Sequence, residues 1–104
     1  MEIVEKIKEW ANERGLYDKG DAMTQFCKLS EEFGELGKAV MNKDQAEFDD
    51  AIGDMFVVMT NLVELSNKYF DREGASIEHC INGAYDVIKS RKGKMINGTF
   101  VKDE

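Results

Sequence analysis

Proline is absent from this 104-residue chain, histidine and tryptophan occur once each, and cysteine occurs twice. Without proline no helix has a hard stop, so glycines and side-chain caps must punctuate the chain. Two cysteines far apart in sequence, Cys27 and Cys80, make neither a disulfide framework nor a thiolate zinc site, and the expectation is two reduced thiols in a cytoplasmic protein. The single histidine, His79, excludes a di-iron bundle built on Glu-x-x-His pairs and leaves no Ser/His/Asp or Cys/His nucleophile system. No glycine-rich phosphate loop occurs. No apolar run approaches the ~20 residues needed to cross a bilayer, and the acidic, amphipathic start Met1-Glu2-Ile3-Val4-Glu5-Lys6 does not read as a signal peptide. A basic excess is also missing. The net charge of −7 argues against a nucleic-acid interface, which needs cations to displace counterions.

What is present is enough apolar residue, 42% of the chain, for one small folded domain over residues 1–104. The pattern predicts an all-α fold of four helices with a short C-terminal β-hairpin. The first helix covers about 2–14, with Ile3, Val4, Ile7, Trp10 and Ala11 at helical spacing and Gly15 ending it. The second runs from about 21 to 42 behind an Asp21 cap. The third opens on Asp44-Gln45-Ala46-Glu47, which has the spacing of a capping box, and continues to about 70. The fourth starts at a Ser76 cap and runs to about 91. Asn97-Gly98 between two short alternating runs predicts a type I′ hairpin turn.

The third helix is apolar on nearly every side through its centre, from Ala51 to Val63. Such a helix is expected to be buried. Three other helices of so short a chain can hardly cover it, which predicts a homodimer or homotetramer built on helix contacts. Asp54 interrupts that apolar run, and Glu47, Asp50, Asp54 and Asn61 fall within roughly a 60° arc of the helix. A buried carboxylate needs a partner, a proton or a metal. Glu47 has a competing role as the last member of the capping box.

The second helix carries Glu31, Glu32 and Glu35, crowded at i, i+3 and i, i+4 spacing, with Gln25 and Lys28 extending the stripe. A solvated acidic face and a metal site both fit. Gly34 and Gly53, helix-interior glycines beside carboxylates, suggest close helix approach or room for a ligand. Antiparallel pairing of the two helices would gather Glu32, Glu35, Asp50 and Asp54 into an all-oxygen set suited to Mg²⁺ or Mn²⁺. The fourth helix ends in a cation cluster, Lys89, Arg91, Lys92 and Lys94, readable as dipole complementation or as a phosphate clamp. Trp10 with Tyr85 or Phe100 offers aromatic faces for a base, or core packing.

Taken together, Gln25-x-x-Lys28-x-x-Glu31-Glu32-x-x-Glu35-Leu36, Asp50-Ala51-Ile52-Gly53-Asp54 and Tyr85-x-x-Ile88-x-x-Arg91-Lys92-Gly93-Lys94-Met95 with Asn97-Gly98 resemble the MazG-like nucleotide pyrophosphohydrolases of the all-α NTP pyrophosphatase superfamily, over about residues 10–102. The resemblance implies Mg²⁺-dependent hydrolysis of nucleoside triphosphates between the α and β phosphates. It implies metal binding by Glu32, Glu35 and Asp54, and activation of water by Glu31 or Glu35. The sequence departs from the family pattern at Ala51, where the family's Glu-x-x-Asp element has glutamate. Either Asp50 takes that place or three carboxylates and waters suffice. Glu47-x-x-Asp50 spells the element in another frame, which would strand Asp54 and is set aside. The likeness further implies contacts to sugar or base by Asn61 and to phosphates by Lys28, Lys89, Arg91, Lys92 and Lys94. Gln25, Trp10 and Tyr85 complete the expected substrate set. A non-catalytic helical oligomer, serving as scaffold or nucleotide sensor, is the alternative.

Overall fold

The computed structural model describes residues 1–103. Its order is α1 (Glu2–Glu13), α2 (Leu16–Lys19), α3 (Ala22–Met41), α4 (Gln45–Tyr69), α5 (Ile77–Ile88), β1 (Gly93–Ile96) and β2 (Thr99–Lys102). No described helix is long and apolar enough to cross a membrane. Two sequence expectations need correction. There are five described helices rather than four, because a single-turn helix, α2, follows Gly15, whose φ of 76° bends the chain out of α1. A one-turn helix carries no periodic signal to read. The last helix also ends at Ile88 rather than near Arg91, where the chain turns into the hairpin.

The caps are where the sequence puts them. The Asp21 side chain accepts from the Thr24 N–H at 2.8 Å, Asp44 from Glu47 N–H at 3.1 Å, and Ser76 from His79 N–H at 3.2 Å. Each satisfies one of the orphan donors of a helix start. Lys43 closes α3 in the left-handed region, at φ 52°. Its N–H donates to the Val40 carbonyl, and the Asp44 N–H donates to that of Ala39, the paired bonds of a Schellman turn. Asp71 ends α4 the same way, with N–H bonds from Asp71 to Lys68 and from Arg72 to Asn67. The three-residue turn between α3 and α4 forces them antiparallel, and this pair forms the body of the fold.

The α1 helix lies against α2 and α4, and buries Val4 and Ala11 completely. The rest of the described apolar core is small-residue and sparse: Ala39, Ala51, Val58, Leu65, Ala75 and Ile77. Against these eight, twenty large apolar side chains are at least 40% exposed. The α4 helix is therefore not covered all round: Phe48 and Ile52 are exposed, and much of its centre is half-buried.

The start of α5 is firmly held. The Asn67 amide donates to the Ala75 carbonyl at 2.8 Å, and its oxygen accepts from the Ala75 N–H at 3.0 Å. Glu78 pairs with the N-terminal amine. From Cys80 onward every described residue is exposed. The hairpin pairs Met95 with Phe100 and turns through Asn97 (φ 51°) and Gly98 (φ 82°), the two positive angles a type I′ turn requires. At Gly93 a Cβ would run into the Val101 carbonyl and the Phe100 ring, so the first strand residue must lack a side chain.

Candidate functional site

The Schellman turn at Lys43 sets the register between α3 and α4, and that register decides which carboxylates meet. That register brings Glu32 within electrostatic reach of Asp54, while Glu35 and Lys28 act on it from its own helix. Its Oε2 is buried without a hydrogen-bond partner. Burial, then the charge of Asp54, then that of Glu35 hold the Glu32 carboxyl above its ordinary value, while Lys28 pulls it down. Asp54 is half-buried rather than deep in the core, and Glu31, Glu35 and Asp50 are exposed. The predicted set is thus partly assembled. Glu32 and Asp54 influence one another across the two helices and Glu35 adds its charge from α3, with Asp50 one turn from Asp54 on α4.

Glu47 does not complete the capping box that its spacing predicts. Its N–H is capped by Asp44, but the reciprocal arm is not made, because the Asp44 N–H already donates to the Ala39 carbonyl. The Glu47 side chain instead lines a depression with Glu35, Lys38, Ala39, Asn42 and Asp44. The acidic seam therefore extends from Asp54 and Glu32 through Glu35 to Glu47. The sequence could have shown this only by anticipating that the turn would occupy the Asp44 N–H. Of the two expectations for the glycines, close helix approach is not met, and open space beside the carboxylates is what remains. A Cβ at Gly34 or Gly53 would meet nothing within 4 Å, so neither exists to let helices approach closely.

The donor set suits a hard divalent cation in chemistry. It is all oxygen, it concentrates like charges, and it leaves one carboxylate oxygen buried and unsatisfied. Among the described residues, however, no three ligating side chains converge tightly enough to hold an ion as they stand. The fit is one of residue type and position, with side-chain closure still required.

The expected substrate residues divide into four groups. Lys28 is exposed beside Glu32, and Gln25 is buried on α3. Asn61 is 2% exposed, and its oxygen accepts a 2.6 Å bond from the Tyr17 hydroxyl, so it is engaged inside the fold and does not face solvent. Trp10 is 47% exposed on α1 with the Arg14 guanidinium 4.4 Å over its ring, and Tyr85 is exposed on α5. The fourth group is the C-terminal cations. Lys89 pairs with Asp86 at 3.1 Å, and Arg91, Lys92 and Lys94 are exposed. Among the described residues no ion pair joins these four to the acidic seam.

Sequence reasoning missed a second polar cluster, where α1 and α2 meet α4. Lys8 Nζ lies 3.0 Å from Glu64 Oε1, beside Tyr17 and Asn61. The hydrogen bond that Lys8 donates to Glu64 is the main influence raising the Lys8 ammonium above its ordinary value. Burial, and then the Glu64 charge, push the Tyr17 hydroxyl up to about 12. Tyr17 and Asn61 are 44 positions apart, and no local spacing links them.

No protein-family model and no solved structure matches the chain. An uncharacterized 18.2 kDa protein from the rep-hol intergenic region of Haemophilus phage HP1 is 40% identical over 64 residues, which is 62% of this chain. The match spans 39% of that relative, so the two are similar over one segment rather than along their lengths.

Proposed function

We propose that this chain is a Mg²⁺-dependent nucleoside triphosphate pyrophosphohydrolase. It would cleave between the α and β phosphates to release a nucleoside monophosphate and pyrophosphate, as a cytoplasmic homo-oligomer that cleanses the nucleotide pool. The observation that carries this reading is the Glu32 carboxylate, with one oxygen buried and unpaired and two like-charged neighbours, Glu35 and Asp54, facing it. Retaining that arrangement costs stability unless a cation compensates it. The resemblance to the MazG-like enzymes supports the same assignment.

In this reading Glu32, Glu35 and Asp54 hold Mg²⁺, or Mn²⁺ in its place, with Asp50 or Glu47 as a further ligand. When bound, the cation offsets the charge that gathers on the phosphate oxygens during cleavage. Glu31 or Glu35 orients the attacking water and takes its proton. Lys28, exposed and within reach of the Glu32 charge, is a cation of α3 available to a phosphate. No covalent intermediate is required, because positioning and electrostatics carry the rate.

A second reading is a nucleotide sensor or scaffold without turnover. It is favoured by the lack, among the described residues, of a convergent ligand group and of any ion pair between the carboxylates and Lys89, Arg91, Lys92 or Lys94 other than that of Lys89 with Asp86. One experiment separates the two. The chain is incubated with a panel of NTPs and dNTPs in Mg²⁺, and pyrophosphate, orthophosphate and bound nucleotide are measured. Pyrophosphate with monophosphate supports the hydrolase. Orthophosphate alone overturns α–β cleavage, and binding without product supports the sensor.

A further inference from the structure

The seam that α3 turns towards α4 is apolar except at two positions. Its buried and half-buried side chains are Ala22, Gln25, Leu29, Glu32, Leu36 and Ala39, spaced alternately three and four apart. On α4, Ala51, Asp54, Val58, Asn61 and Leu65 repeat that spacing. The two helices are antiparallel, and Glu32 is within electrostatic reach of Asp54. A step of seven residues, towards the start of α3 and the end of α4, then brings Gln25 level with Asn61. The seam therefore holds a carboxylate layer and a carboxamide layer about 10.5 Å apart, with Leu29 and Val58 between them.

Only half of the carboxamide layer is satisfied. Asn61 accepts the Tyr17 hydroxyl at 2.6 Å, which fixes the way its amide faces. Gln25 is 8% exposed, and among the described residues no side-chain hydrogen bond involves its amide. A buried amide without a partner costs stability that an apolar side chain would not. Nor is the amide sealed. Glu32 Oε2 alone, among the described residues, is both closed to solvent and unpaired, so the Gln25 amide keeps an edge open. The neighbouring flank of α3 is polar. Lys28 and Glu35 are exposed within about 20° of one another on one side of the seam, and Phe26 and Phe33 lie on the other. Lys28 stands one turn from Gln25 and one turn from Glu32.

We infer that Gln25 contacts the base of the nucleotide and does so without favouring one base over another. The inference rests on the proposed hydrolysis, because the carboxylate layer is what places the phosphates. From that layer, Lys28 and then Gln25 follow along α3 in the order of phosphate and base in a nucleoside triphosphate. The pairing edge of every base sets a hydrogen-bond donor next to an acceptor. In uracil and guanine these are a ring N–H and a carbonyl, and in cytosine and adenine an amino group and a ring nitrogen. A carboxamide carries one acceptor and one donor group. Held by a neighbour, as Tyr17 holds Asn61, it matches one order of the pair. Gln25 has no such neighbour, so its amide turns to match either. The substrate class that follows is nucleoside triphosphates of all four bases, and altered bases that keep a donor beside an acceptor.

The test compares UTP, CTP, GTP and ATP with ribose 5-triphosphate, which has no base. Wild type in Mg²⁺ should turn over the four nucleotides with kcat/KM values within about tenfold of one another. Gln25→Leu should raise KM for all four by about tenfold, leave kcat in place and leave ribose 5-triphosphate unaffected. Its melting temperature should be no lower than that of wild type, since an unpaired buried amide has been replaced by an apolar group. A loss that ribose 5-triphosphate shares overturns the inference, because Gln25 then shapes the fold rather than meeting the base. An unchanged KM for the four nucleotides also overturns it. So does a wild-type preference of more than about a hundredfold for one order of donor and acceptor. Release of no pyrophosphate from any nucleotide is a separate failure, that of the hydrolysis. Calorimetry with the same five ligands then makes the same comparison. Weaker binding of the nucleotides alone in Gln25→Leu supports the base contact, and absence of nucleotide binding overturns it.

Discussion

Along α4 two sets of polar side chains face other elements, and the fold treats them in opposite ways. In the C-terminal half Asn61 and Glu64 are matched: Tyr17 donates to Asn61, and Lys8 pairs with Glu64. In the N-terminal half Asp54 faces Glu32 and Glu35, and the buried Glu32 Oε2 has no partner. Both sets lie on one helix, so the difference comes from what faces them: donors, Tyr17 and Lys8, at the first and carboxylates at the second. A satisfied cluster positions elements. An unsatisfied one stores repulsion that a proton or a bound cation would relieve. Substitutions in the two clusters should therefore have different signatures, with activity moving at one and stability at the other.

The largest contrast is expected at Asp54. Asp54→Asn keeps the shape of the side chain and removes its charge. Pyrophosphate release in Mg²⁺ should fall on the order of a hundredfold or more, the usual scale for losing one charge-stabilising group. Helical circular dichroism and the melting temperature should hold. Full activity in this variant, assayed at saturating nucleotide, would remove the metal assignment.

Asn61→Leu should do the reverse. It leaves the Tyr17 hydroxyl half-buried without its acceptor, at a cost of about 1–3 kcal/mol. Thermal melting would show this as a loss of several degrees. Combining it with Tyr17→Phe should restore part of the loss, because the stranded donor is then gone. An unchanged melting temperature in the single variant would mean that the cluster bears no structural weight.

These two clusters also show what the sequence could and could not reveal. The caps at Asp21, Asp44 and Ser76 and the Asn97-Gly98 turn depend on residues within four positions of one another, and each is found where local chemistry predicts it. The polar arc on α4 is likewise legible, since helical geometry alone defines it. Which residues of another element face that arc is not legible. That depends on the register fixed by the turn at Lys43 and on α2, a one-turn helix held by packing. The same gap explains Glu47, whose release from the capping box follows from a backbone bond to Ala39. It also bears on Gly34 and Gly53, for which close helix approach and open room were both expected and which face open space.

A smaller effect should come from Glu32. Glu32→Gln removes one of three crowded charges and gives the unsatisfied position an amide. The metal-free variant should melt slightly above wild type at neutral pH. Adding Mg²⁺ should raise the melting temperature of the wild type, because a ligand that binds only the folded state stabilises it. The variant should gain less. Equal Mg²⁺ gains in both proteins, compared by differential scanning fluorimetry against EDTA, would show that the ion binds elsewhere.

The smallest effect is one of pH, and it belongs to the satisfied cluster. The Tyr17 hydroxyl is pushed up to about 12 by burial and by the Glu64 charge, against an ordinary value of 10.0. The folded chain therefore holds this proton more tightly than the unfolded chain. Between those two values the unfolded state has already lost the proton that the folded state keeps, so folding stability falls as pH rises. The contribution is complete below pH 10 and is lost progressively towards pH 12. Lysines titrate in the same window, so the informative quantity is a difference between two proteins. Urea midpoints of wild type and Tyr17→Phe should keep a constant offset up to about pH 10. Above it they should converge, as wild type loses stability that the variant never had. An offset that stays constant through pH 12 would show that the phenol ionises as freely in the fold as in water, and that Asn61 and Glu64 do not enclose it.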